Sequence, residues 1–231
     1  MAKVISDAAQ AAAELSAAVD QATSMVFFGG AGVSTASGIP DFRSEDGLYH
    51  QHFKYPPEEM LSHDFYVTHT EEFFGFYRTR MIALGAKPNQ AHLQLAELER
   101  AGKLTAVVTQ NIDGLHRAAG SKNVLELHGS VHRNLCQRCG RVYSAEWIMG
   151  TEGAPRCPEC GGAIKPDVVL YGESLDEHVL TASVGGNLQG RPAGHWRHVP
   201  GGVPGGRAGQ LLQWLQAGHC QQAAHAPGRQ R

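Results

Sequence analysis

Two Cys-x-x-Cys pairs, Cys136 with Cys139 and Cys157 with Cys160, stand 17 residues apart and constrain this chain more than any other feature. Two tight knuckles deliver four thiolates, the number and softness that suit a tetrahedral zinc ion. Four sulfur ligands close the coordination sphere, so the ion is expected to be structural, substituting for a core that so short a segment cannot build. The segment 130–164 is therefore expected to fold around its metal as a small zinc-binding domain. The fifth cysteine, Cys220, has no partner pair and no assigned role.

Around that segment, short apolar runs alternate with helical patterns. "MVFFGG" (25–30), "LTAVVTQN" (104–111), "NVLELHG" (123–129) and "KPDVVLYG" (165–172) read as buried strands. Residues 7–22 read as an alanine-rich helix capped by Ser6 or Asp7, and 64–84 as an aromatic-rich helix. A further helix follows Asn89 and stops at Gly102. Strands alternating with helices imply an α/β fold with a Rossmann-like parallel sheet, and the cysteine segment interrupts it. The expected organisation is a large domain from 1–129 and 165–184, a small domain over 130–164, and a tail over 185–231. With a formal charge of -2, no global basic field points to nucleic acid, and no run of 18 apolar residues points to a membrane. Acidic residues near the N-terminus (Asp7, Glu14, Asp20), where a signal peptide would be apolar, lead us to expect a cytoplasmic protein, in which paired cysteines favour metal over disulfides.

In an open parallel sheet, ligands gather beyond the carboxyl ends of the strands. The residues there are Gly29–Gly32, Gln110–Asp113, His128–Gly129 and Gly172–Glu173. Glycines at 29, 30, 32 and 38 let backbone approach a diphosphate closely, although a plain tight turn is an equal reading. The acidic residue with which a dehydrogenase grips ribose belongs about 20 residues on, after a second strand, and no strand lies there. A dinucleotide would bind differently here. Asn111 and Asp113 can bond a sugar or an amide, or simply start the next helix as an Asx turn. His128 ends an apolar strand, where an imidazole is either a general base or a satisfied buried side chain.

Together "GAGVSTASGIPDFR", "TQNIDGLH", "LHGS", the two cysteine pairs and "KPDVVLYGE" resemble the sirtuin family of NAD-dependent protein deacylases, over about residues 20–184. The resemblance implies a Rossmann-like domain, a zinc-ribbon domain and a cleft between them. Carried over by motif, Ala31, Gly32 and Thr35 line the dinucleotide, and Phe42 and Arg43 shape the pocket around the nicotinamide ribose. Gln110, Asn111, Ile112 and Asp113 hold ribose and the nicotinamide amide, and His128 becomes the catalytic base. The implied reaction joins an acyl-lysine carbonyl oxygen to the ribose as nicotinamide leaves, and yields free lysine and O-acyl-ADP-ribose. Val168 and Val169 are similar to the strand that pairs with the substrate peptide through its main chain. The implied partners are NAD and an acyl-lysine protein or peptide, with no nucleic acid and no membrane. Tyr77 and Arg80 have the spacing that relatives with acidic acyl substrates carry. An amphipathic helix with a snorkelling arginine explains the pair as well, and deacetylation is expected to dominate.

Beyond Val184 the resemblance stops. The last acidic residue is Glu177, and residues 185–231 hold 11 Gly, 7 Gln and 5 Arg but no Lys, Ile, Phe or Tyr. Such a composition has maximal backbone entropy and little to bury, so the tail is expected to be disordered. It reads like a GC-rich gene translated out of frame. The later strands of the family, with their "GTS"-like turn and "INK"-like strand end, have no counterpart in it. The tail makes an inactive zinc-binding fragment one alternative to a working deacylase, and mono-ADP-ribosyl transfer from the same cofactor is the other.

Overall fold

A computed structural model describes residues 7–41 and 53–183. Phe42, Arg43 and the tail from 184 onward lie outside the described residues, and so do the expectations attached to them.

The Asp7 carboxylate accepts from the Gln10 amide (2.7 Å) and starts α1 (Ala8–Gln21). Three strands then form a parallel sheet: β1 (Met25–Gly29), β2 (Leu104–Thr109) and β3 (Val124–Glu126), in the order β1-β2-β3. Between β1 and β2 the chain forms α2 (Pro57–Met60), α3 (His63–Thr68), α4 (Thr70–Phe76) and α5 (Gln90–Arg100). Asn89 caps α5 as expected, and Gly102 in the left-handed region (φ 71°) ends it. Leu95 and Leu98 of α5 pack on Leu104, Val107 and Val124 of the sheet.

The helix expected over 64–84 is divided at His69 (φ -130°, ψ 49°). Thr68 and Thr70 turn their hydroxyls back onto the carbonyls of Asp64 and Tyr66, which competes with the helical ladder and bends it. After α4 the chain closes one wide turn through Met81, with the Ile82 amide on the Tyr77 carbonyl.

A second sheet, antiparallel and ordered β5-β4-β6, carries the cysteines. Its strands are β4 (Gly129–Cys136), β5 (Val142–Tyr143) and β6 (Ile164–Val168). The short helices α6 (Leu115–Ala118), α7 (Ala145–Met149) and α8 (Glu177–Thr181) complete the order. The run 165–172 is thus not a fourth parallel strand. Its first part pairs antiparallel with β4, from Gly129 opposite Val168 to Cys136 opposite Ile164. The reason lies at Gly129 (φ 76°): the chain turns there directly from β3 into β4 with no crossover, and β6 returns alongside it.

The larger core sits between α2–α4 and this second sheet. Phe73, Phe74, Tyr77, Ile148 and Ile164 are all essentially inaccessible there. Among the described residues no helix is long and apolar enough to cross a membrane.

Candidate active site

The glycine-rich loop leaves β1 as two short turns, Ala31–Val33 and Thr35–Ser37, and ends on Gly38 in the left-handed region (φ 82°). Neither turn could hold itself in place. Asn89, besides capping α5, donates to the Val33 carbonyl (2.7 Å) and the Ser37 hydroxyl (3.0 Å). Ser34, 1 % exposed, donates to Asp113 Oδ2 (2.6 Å) and accepts from Asn111 Nδ2 (3.0 Å). The loop is thereby fixed to the end of β2, while Gly32 and Thr35 face solvent. Gly30 approaches Gln110 so closely that a methyl there would lie 3.1 Å from the Gln110 side-chain oxygen.

The residues after β2 are held from both ends. The Asp113 carboxylate also accepts from the Leu115 amide (2.8 Å), which realises the Asx turn into α6. The Ile112 carbonyl accepts from the Val131 amide (3.0 Å). His132 donates through Nε2 to the Asp113 carbonyl (3.1 Å) and lies against Gly114 (φ 73°), where any side chain would strike its ring.

His128 stands between these walls. Its Nδ1–H donates to the Gln110 carbonyl (2.9 Å), so the neutral ring leaves Nε2 with a free lone pair. Nε2 is buried and has no protein partner among the described residues. Burial pushes the imidazole below its usual range, partly offset by the Gln110 carbonyl, and holds the ring as a neutral base. Its own carbonyl accepts from the Val169 amide (3.0 Å), which places Val168 and Val169 immediately beside it. The arrangement can remove a proton from a hydroxyl held by the Gln110–Asp113 segment, next to a strand able to receive a peptide.

The four cysteine sulfurs lie within 4.8 Å of one another, with Cys136 and Cys160 3.4 Å apart and Cys139 and Cys157 3.7 Å apart. A zinc ion with sulfurs at about 2.3 Å needs tetrahedral edges of about 3.8 Å, so the cluster fits that ion. Burial would raise the Cys157 thiol, but the Tyr143 hydroxyl and the knuckle amides outweigh it and bring it down to about 6. The hydroxyl lies 2.9 Å from Cys157 Sγ.

The structure therefore brings Ala31, Gly32, Thr35, Gln110, Asn111, Ile112, Asp113, His128, Val168 and Val169 to one region. Tyr77 shares a buried core with Val168, against which Ile112 also packs, and Arg80 lies at the edge of that core over Phe53. The Tyr77 ring is 1 % exposed, stacked on Phe73, with its hydroxyl directed at Asn134 Oδ1 (3.4 Å). Arg80 is exposed, with its guanidinium over the Phe53 ring. Both sit in the wide turn after α4, Tyr77 filling the core and Arg80 keeping its charge at the surface. Sequence reading passed over Ser34 and His132. One is a small residue in a loop of small residues, the other a histidine among 13.

A model described as the Sir2 family matches residues 30–187 of this chain. An NAD-dependent protein deacetylase of Clostridium acetobutylicum is 59 % identical over 174 residues, which cover 74 % of this chain and 71 % of that protein. One of Cutibacterium acnes is 58 % identical over 159 residues, 68 % of this chain and 65 % of that protein. A solved structure described as Sir2 with p53 peptide and NAD+ superposes with a TM-score of 0.64 at 40 % identity, covering 74 % of this chain and 69 % of that one.

Proposed function

The chain belongs to the Sir2 family, and from that membership we propose that it is an NAD-dependent protein-lysine deacetylase. NAD is consumed as a co-substrate, and the products are deacylated lysine, nicotinamide and O-acyl-ADP-ribose. The observation that carries this reading is His128. It is a buried neutral imidazole with Nδ1 tied to the Gln110 carbonyl, and it shares a wall with Asn111 and Asp113.

Each residue then has a task. Ala31, Gly32 and Thr35 sit on a loop pinned by Asn89 and Ser34, so their backbone is pre-set against a dinucleotide diphosphate. Phe42 and Arg43 carry their family role as walls of the nicotinamide ribose pocket. Gln110, Asn111, Ile112 and Asp113 orient the ribose and the nicotinamide amide, and His128 Nε2 takes the proton of a ribose hydroxyl. The substrate peptide lies along Val168 and Val169, with its acyl-lysine directed past His128. Positive charge develops at the ribose carbon as nicotinamide leaves, and a closed, water-poor cleft favours the acyl oxygen over hydrolysis. Cys136, Cys139, Cys157 and Cys160 hold a zinc ion, which when bound cross-links the two knuckles and takes no part in bond making.

The test is turnover of an acetyl-lysine peptide with NAD by the whole chain, followed as nicotinamide and O-acetyl-ADP-ribose. Turnover that needs the peptide and falls at least about a hundredfold in His128→Ala supports the reading. Label transferred from NAD to protein would favour mono-ADP-ribosyl transfer. Soluble, zinc-loaded protein without turnover would leave a zinc-binding fragment as the better account.

A further inference from the structure

We propose that Arg133 is the positioning residue for His128, a clamp across the point where the chain passes from the parallel sheet into the zinc-bearing sheet. The proposal rests on the deacetylase reading for its catalytic consequence, but its geometry stands apart from it.

The backbone alone leaves that crossing weakly specified. Gly129 pairs with Val168, and the next paired residues of β4 and β6 are Asn134 and Pro166. Residues 130–133 on β4 thus face the single residue Asp167 on β6. Pro166 has no amide to add to the ladder. The looped-out residues lean on the cofactor wall instead, through the Val131 amide on Ile112 and the His132 ring on Asp113. The gap in the ladder sits beside His128, between the groups that would hold NAD and the strand that would hold the peptide.

Arg133 closes the gap with its side chain. Nε donates to Asp167 Oδ2 (2.6 Å) and Nη1 to Glu126 Oε2 (2.8 Å). Glu126 lies on β3, two residues before His128, and its carboxylate is 6 % exposed. Asp167 lies on β6, two residues before Val169, whose amide meets the His128 carbonyl. One rigid guanidinium therefore fixes the two strands that flank the imidazole. Arg117 gives Glu126 a second partner (3.4 Å) and donates to the Val124 carbonyl (2.8 Å), which anchors the β3 end of the clamp to α6. Burial works against the charge on Arg133, but its bonds to Glu126 and Asp167 outweigh it and raise its pKa. A planar fork can hold two carboxylates at a set spacing, whereas an ammonium group is a single point.

The experiment compares Arg133→Lys, Asp167→Asn and the double variant with the parent in steady-state deacetylation and in amide exchange. The lysine variant keeps the charge beside Glu126, which guards against simple misfolding. We expect Arg133→Lys to lower kcat at least about tenfold while the KM for NAD stays within about threefold, with zinc content unchanged. The double variant should be no slower than the slower single one, because both break one clamp. Amides over 127–130 and 168–170 should exchange faster, and those of the 136–139 knuckle should not. A kcat within about twofold of the parent, or multiplicative losses in the double variant, overturns the proposal. If the parent has no turnover the deacetylase reading fails, and the clamp is then judged on exchange alone, where unchanged rates over 127–130 would sink it.

Discussion

The rings of His92 and His116 lie 4.6 Å apart at 60°, both fully buried, one on α5 and the other on α6. His92 Nδ1 accepts from the Asn89 amide (3.3 Å), so its proton is on Nε2. Burial lowers the pKa of His92, with Asp113 opposing. Burial lowers His116 too, to about 4, helped by His92 and opposed by Asp113. Two charges at that spacing cannot be held in the packing, so both rings are neutral in the fold.

Acid should therefore unfold the protein through this pair. An unfolded histidine titrates near 6.5 and His116 near 4, so between those values the unfolded state binds more protons. The stabilisation is complete above pH 6.5 and is lost as pH falls toward 4, on the order of 3 kcal/mol from His116. Urea midpoints measured from pH 7 to pH 4 should drop, and His116→Gln should flatten that slope while lowering stability at pH 7. An equally steep slope in the variant would assign acid sensitivity to other groups.

Removing the Ser34 hydroxyl should cost more than its size suggests. Ser34→Ala strips Asp113 of a donor and leaves the Asn111 amide without its acceptor, in a site 1 % exposed. An unsatisfied buried group costs about 1–3 kcal/mol, and here part of that falls on the loop that meets NAD. We expect the KM for NAD to rise about tenfold with a smaller change in the KM for peptide. Equal changes in both would mean the loop is not the element disturbed.

How much of this was legible before the structure depends on how local each signal is. β2 is a continuous apolar run, α5 carries its stop signals within 14 residues, and the cysteine spacing names its own metal. For β6 the signal is ambiguous, because "KPDVV" reads as a buried strand in either sheet, and the structure pairs it antiparallel with β4. Periodicity reports burial but not the neighbour, and the neighbour was decided by the turn at Gly129. Ser34 and His132 were missed for a related reason. Their partners lie 79 and 19 residues away, and nothing in their own surroundings sets them apart. The aromatic positions Phe65, Phe73, Phe74 and Tyr77 were visible as a helix face, but their partner, the zinc-bearing sheet, was not.

The Tyr143 hydroxyl should control how tightly zinc is kept. It meets Cys157 Sγ at 2.9 Å, with the ring buried against Trp147 at a centroid distance of 4.3 Å. Groups bonded to metal ligands change metal affinity about 10- to 100-fold when removed. Tyr143→Phe keeps the ring packing and removes only the hydroxyl, so zinc should transfer to a chromogenic chelator at least about tenfold faster at neutral pH. Full chelation should then expose the core shared by Tyr143, Ile148, Cys157 and Ile164, read as loss of tryptophan burial at Trp147. A transfer rate matching the parent would place the control of zinc in the knuckle amides instead.

Gly129→Ala should part β4 from β6 within the zinc-bearing sheet. At φ 76° an alanine is already strained, and its methyl would collide with the Asp167 carbonyl on β6. Backbone on the far side cannot rotate away as a side chain can, so β4 must move from β6 or the turn must open. Either movement displaces His128, whose carbonyl is bonded to the Val169 amide one residue away. We expect a loss of about 3 kcal/mol or more, and deacetylation below a hundredth of the parent even where the protein stays soluble and zinc-loaded. Retained turnover with an unchanged melting temperature would show that the close approach of Gly129 to Asp167 does not set the position of His128.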